Sequence, residues 1–118
     1  MSSFYVSEHA MEGDVCVIRV GGYVDFDAAP QFKRCLVHRI EQGDRVIVVD
    51  LSEAGFIDST AIGVLVGALR RLREVGGSLS VVCVDEDVRG IFEIVGLDSL
   101  IPMYRSPDEA VAALVRAA

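Results

Sequence analysis

The sequence predicts an α/β domain built on a mixed, mostly parallel sheet of four to five strands with about four helices. Two nearly continuous apolar runs, Arg45–Leu51 (RVIVVDL) and Leu79–Val84 (LSVVCV), have the pattern of strands covered on both faces of a parallel sheet. Between them Ile62, Leu65, Val66, Leu69, Leu72 and Val75 recur with the 3.6-residue period of an amphipathic helix. A strand, helix, strand succession of this kind closes as a right-handed parallel crossover. With 118 residues and 52% apolar composition, the chain is expected to form one folding unit over residues 1–118.

Each element has a local reason. Phe4–Glu8 reads as a strand partnering Val15–Val20, a β-branched run closed by the permissive pair Gly21-Gly22. Asp27 precedes Ala28-Ala29-Pro30, which puts a side-chain acceptor at a helix N-cap and the proline in the first turn, where its missing N–H does no harm. This helix carries Phe32, Leu36 and Ile40 and stops before Gly43. After the strand Arg45–Leu51, a second helix opens at Asp58 or Ser59 and runs to Val75, where Gly76-Gly77 supplies a left-handed terminator. Asp85, Glu86 and Asp87 follow the strand Leu79–Val84 and complement the dipole of a short helix ending at Gly96. Leu100–Tyr104 reads as a short edge strand. Ser106-Pro107-Asp108-Glu109 is a capping box that opens a final helix through Leu114.

Composition narrows the function. Eleven basic against eighteen acidic residues give a net charge of -7, which opposes the counterion release that drives proteins onto nucleic acid. The longest uncharged apolar stretch, Ala61–Leu69, is nine residues, against roughly 20 needed to cross a bilayer. The segment Met1–Ala10 lacks the basic and apolar regions of a secretory signal, so a cytoplasmic location is expected. Cys16, Cys35 and Cys83 are odd in number, far apart and set among apolar neighbours, which points to reduced core thiols, with a redox switch as the alternative.

In a parallel sheet, loops leaving the carboxyl ends of the strands share one rim, so Gly22–Asp27 and Ser52–Ser59 are expected to be neighbours. They hold Asp25, Phe26, Phe56, Ile57, Asp58 and Ser59, a concentration of charge, hydroxyl and apolar bulk that a core does not require. Asp58 and Ser59 are both ordinary N-cap residues, so spacing alone also allows a purely structural role. On the following helix Thr60, Gly63, Val64 and Gly67 lie opposite much of the apolar stripe. Two glycines there cost roughly 1 kcal/mol each relative to alanine, which fits close approach either by another chain or by a neighbouring helix of the same domain.

The run Phe56-Ile57-Asp58-Ser59-Thr60-Ala61-Ile62-Gly63-Val64-Leu65 resembles the signature of the STAS superfamily, which includes anti-sigma factor antagonists and sulphate transporter tails. Val46–Leu51, Gly22–Asp25, Glu74–Leu79 and Ile91–Leu97 fit the same pattern, so the likeness spans about residues 14–115. The resemblance implies a non-enzymatic binding domain without a cofactor, whose partner is an anti-sigma factor serine kinase that carries the ATP. It implies that Ser59 is the phosphoacceptor, that the unmodified form binds the anti-sigma factor and releases the sigma factor, and that a metal-dependent serine phosphatase resets the modified form. It also implies that Asp25, Phe26, Phe56, Ile57, Asp58, Ser59, Thr60, Gly63 and Gly67 belong to the partner surface. Two departures stand out: Thr60-Ala61 replaces the commoner Ser-Gly, making Thr60 a second candidate acceptor, and Tyr23 replaces a frequent glutamate, which bears on partner affinity.

Other readings are open to the same residues. A constitutive STAS scaffold, as in a stressosome or a transporter-associated complex, would share the fold but keep its partner after modification. A response-regulator-like phosphoacceptor at Asp50 would need an acidic magnesium pair and a lysine near the last strand, whereas the only lysine is Lys33, in the first helix. His9 and His38 have no spacing that links them to Ser59 as a hydrolase triad. Neither nucleotide-loop motif is present. Arg70, Arg71 and Arg73 beside Glu74 read as a solvated face with intrahelical pairing. The apolar surplus is compatible with a homodimer.

Overall fold

A computed structural model describes residues 4–11 and 15–117. Its centre is a five-stranded sheet in the order β1-β2-β3-β4-β5. The strands are β1 (Phe4–Met11), β2 (Val15–Val24), β3 (Val46–Ile57), β4 (Ser78–Val82) and β5 (Met103–Tyr104). β1 is antiparallel to β2, and every later pair is parallel. The helices are α1 (Ala29–Glu41), α2 (Ser59–Glu74), α3 (Glu86–Ile94) and α4 (Pro107–Ala117), with a 3-10 turn at Leu97–Ser99. This is the expected mixed, mostly parallel architecture.

The alternation of side chains along each strand divides the core in two. Ile18 and Val20 of β2, Ile47 and Val49 of β3, and Leu79 and Val81 of β4 pack beneath α1, α2 and α3. On the opposite face Val15, Val17, Val48 and Val82 pack against Ala110 of α4. Asp50 lies on that second face, 2% exposed, where it accepts hydrogen bonds from the Arg19 guanidinium (3.3 Å), the Ser52 backbone N–H (2.9 Å) and the Ser52 hydroxyl. Enclosed this way, it is a structural carboxylate rather than an open phosphoacceptor.

Four local expectations are corrected. Gly21-Gly22 does not end β2; the strand continues to Val24 and absorbs the glycines through register shifts against β3 between Arg19 and Gly21 and between Gly22 and Tyr23. Gly22 has φ +82°, and the Tyr5 ring occupies the space where a Gly21 Cβ would stand. β3 likewise runs on to Ile57, because this part of β2 gives it a partner: Gly21 pairs with Glu53, Tyr23 with Phe56 and Val24 with Ile57. The N-cap of α1 is Ala28, not Asp27. No side chain caps α1; Asp25 instead orders the turn before it, its carboxylate accepting from the N–H groups of Asp27 (3.1 Å) and Ala28 (3.2 Å). The stripe of α2 is centred on Ala61, Leu65, Ala68 and Leu72, flanked by Ile62 and Leu69, and leaves Val75 46% exposed.

The remaining termini follow their signals. Asp85 accepts from the N–H groups of Asp87 and Val88, and Gly96 takes φ +78° after α3. The Ser106 hydroxyl accepts from Glu109 N–H at 3.0 Å, completing one half of the capping box. No described helix is long and apolar enough to cross a membrane.

Candidate functional site

The C-terminal ends of β2 and β3 lie side by side, tied by Asp58 N–H donating to the Val24 carbonyl at 3.3 Å. Where β3 gives way to α2, Asp58 is in extended geometry and its carboxylate accepts from Ala61 N–H at 3.0 Å. Asp58 therefore caps the helix. Ser59, the first helical residue, is exposed, and among the described residues its hydroxyl and its N–H have no hydrogen-bond partner. Thr60 beside it is also exposed. An open hydroxyl thus stands at the positive end of a sixteen-residue helix whose first N–H groups are only partly used.

Exposed aromatic side chains stand on and just beyond the strand ends that lead into this junction. The Tyr23 and Phe56 rings sit 5.6 Å apart at a 38° tilt, and Tyr23, Phe26 and Phe56 are 50%, 66% and 43% exposed. Three large apolar groups held out from a domain that buries Phe32 and Phe92 completely and Phe4 in part form a surface of the kind that marks protein contact. Along the same flank α1 and α2 leave a groove of about 220 Å³ lined by Lys33, Thr60, Gly63, Val64, Gly67 and Arg71, among others. A Cβ at Gly63 would meet no atom within 4 Å, and one at Gly67 would meet only the Arg71 guanidinium, at 3.3 Å. Packing within the domain does not require either glycine.

Asp25, Phe26, Phe56, Asp58, Ser59 and Thr60 are thus brought to one rim, with Gly63 and Gly67 running away from it along α2. Ile57 is the exception. It is 1% exposed and belongs to the core, because the extended β3 alternates and turns Phe56 outward and Ile57 inward. Tyr23 takes the place at the rim that its loop and its departure from the family pattern suggest, and Lys33 is an addition from the structure. The β2–β3 register adds that Tyr23 stands opposite Phe56, and the groove between α1 and α2 adds Lys33, whose place there no local pattern states. The arginine cluster on α2 makes no ion pair with Glu74 among the described residues.

The thiols lie away from this rim. Cys16 and Cys83 are buried, and burial raises their pKa. Cys35 is half-buried and donates to the Glu8 carboxylate at 3.2 Å; desolvation first, and then that hydrogen bond, push it up to about 12. No group of three or more described histidine, cysteine or acidic side chains is disposed to hold a metal ion.

The profile of the STAS domain family matches residues 8–110. The chain belongs to the STAS family. An anti-sigma-B factor antagonist of Staphylococcus epidermidis is 31% identical over 88 residues, covering 75% of this STAS chain and 82% of the relative. A crystal structure of an anti-sigma factor antagonist from Mycobacterium paratuberculosis superposes with a TM-score of 0.82 at 26% identity, over 96% of this chain and 93% of the other. The anti-sigma factor antagonist SpoIIAA in its unphosphorylated form gives 0.79 at 26% identity, over 98% of both chains. These matches agree with the STAS architecture of sheet and helices described above.

Proposed function

We propose that this STAS domain is an anti-sigma factor antagonist: it binds an anti-sigma factor serine kinase, frees the sigma factor, and is switched off when the kinase transfers phosphate from its own ATP to Ser59. The observation that carries this reading is the division of labour at the start of α2. Asp58 supplies the cap, so the exposed hydroxyl of Ser59 is left without a structural task. Phosphorylation adds about -1.5 to -2 charges facing a helix N-terminus, where the dipole and free N–H groups stabilise it, so the fold tolerates the change. The docking surface does not. Phosphate at this junction, next to the strand ends that carry Tyr23 and Phe56, must be desolvated against, or repelled by, the partner, and each loss of about 1.4 kcal/mol weakens binding tenfold. A serine phosphatase acting on the exposed phosphoserine would restore docking.

The test is to incubate the protein with its cognate kinase and ATP and to follow intact mass. One added phosphate is expected, absent in Ser59→Ala; a shift that survives Ser59→Ala and disappears only with Thr60→Ala moves the acceptor to Thr60. In binding titrations Ser59→Ala stays bound while Ser59→Asp loses at least about tenfold in affinity. Equal titrations for the two variants would replace the switch with a constitutive scaffold.

A further inference from the structure

β1 is the outer strand of the sheet: it pairs with β2 along its full length, and among the described residues nothing pairs with its other edge. Proteins commonly blunt such an edge with proline, lysine, a bulge or brevity. β1 has no proline, lysine or bulge and is eight residues long (FYVSEHAM) in unbroken register; its one charge, Glu8, is engaged by Cys35 and Arg39 of α1, and the opposite edge strand, β5, has two residues. Alongside the open edge runs a groove of about 800 Å³ between Val6 and Glu8 of β1 and the outer face of α1 at Arg34, Cys35, His38 and Glu41. The bare hydrogen-bonding edge and the groove beside it are separate features at one place, and one added strand would fill both.

We propose that this edge is a homodimer interface in which β1 pairs antiparallel with β1 of a second copy about a twofold axis, making one sheet continuous through both. Antiparallel partners lie on the same face, so an axis near the middle of the strand sets either Ser7 opposite Ser7 or Glu8 opposite Glu8. The second register stacks like charges directly across the seam, which is destabilising. The first sets Val6 opposite Glu8 and Tyr5 opposite His9, and is the register assigned. The helices select a second copy as the occupant. Glu8 meets Cys35 at 3.2 Å and Arg39 at 3.9 Å, so an axis at Ser7 is level with the middle of α1. Arg34 and Glu41 flank that level on the groove-lining face, and neither has an ion-pair partner among the described residues. The twofold brings each Arg34 toward the other copy's Glu41, a reciprocal complementarity that an unrelated extended segment would not supply. Ser59 leaves β3, two strands in from the seam, so both copies keep it open.

Sedimentation velocity across a concentration series tests the proposal on the intact chain, with Val6→Lys and Val6→Glu as the informative pair. Both variants lose the same Val6 packing, and their circular-dichroism melts report any cost to the fold. In the assigned register lysine at position 6 faces Glu8 of the other copy, whereas glutamate there places two like-charge contacts in each dimer. The wild type and Val6→Lys are expected to sediment at twice the monomer mass, while Val6→Glu weakens the dimer by about tenfold or more. A wild type that stays monomeric throughout overturns the proposal and leaves the edge to an extended segment of a different protein. Equal dissociation of the lysine and glutamate variants overturns it as well.

Discussion

Asp58 and Ser59 are both competent helix caps, and the structure gives the task to Asp58. The consequence is measurable in stability alone. Asp58→Ala removes the acceptor for Ala61 N–H and is expected to cost about 1 kcal/mol in urea denaturation. Ser59→Ala, which removes no described hydrogen bond, is expected to stay within about 0.5 kcal/mol of the wild type. The reverse order would make Ser59 a structural residue and remove the reason for treating its hydroxyl as a switch. At Cys35 the raised pKa works in a different direction. The folded thiol holds its proton up to about 12, above the ordinary thiol value reached in the unfolded chain, so this contribution to stability is complete at neutral pH. It is lost as pH rises from the ordinary thiol value toward about 12. Denaturation midpoints measured across that window are expected to fall less in Cys35→Ser than in the wild type. Cys16 and Cys83 pack within the core, while Cys35 lies at its edge and, holding its proton at neutral pH, is a weak nucleophile there.

Among the elements, α2 carries glycines with opposite meanings at its middle and just beyond its end. Gly63 faces open space, so Gly63→Ala is expected to raise stability by up to about 1 kcal/mol through helix propensity. If the flank of α2 is a docking surface, the same methyl group weakens partner binding; a variant that gains stability and binds unchanged would clear this flank of that role. Gly77 presents the contrary case. A Cβ there would press on the Arg45 carbonyl and on Leu72 Cδ2, at 2.9 Å, and backbone cannot swing aside as a side chain does. Gly77→Ala is therefore expected to destabilise by roughly 1–3 kcal/mol, read from the shift in denaturation midpoint at constant slope. The length of β3 is the other element-level finding. Its last residues pair with the bulged end of β2, and this pairing holds Phe56 outward and Ile57 inward beside Asp58.

For the molecule as a whole, a switch of this kind requires modification to alter docking and spare the fold. Ser59→Asp is expected to melt at or slightly above the wild-type temperature, since a carboxylate in the first turn of α2 gains about 0.3–1 kcal/mol from the helix terminus. A large loss of stability would mean that the modification acts by unfolding the domain.

Much of this architecture was legible from periodicity and punctuation. The apolar runs at Val46–Leu51 and Leu79–Val82 have no alternative to burial on both sides, the spacing of Leu65, Leu69 and Leu72 suits only a helix, and Asp85, Ser106 and Gly96 mark boundaries through their own backbone chemistry. Each of these features depends on neighbours within a few residues, so the chain states it locally. The parts that were read differently depend on partners distant in sequence. Gly21-Gly22 has the composition of a turn and becomes a bulge because β3 is there to pair with it, and Ile57 leaves the proposed surface because that pairing sets its alternation. Asp25 rather than Asp27 orders the turn before α1 because β2 runs on to Val24 before turning. The sequence by itself determined the strand and helix succession and the charged, hydroxyl-bearing junction at residues 58 and 59. Tertiary structure decided which side chains at that junction face solvent, because exposure is a property of strand register and helix packing, and neither exists until distant segments meet.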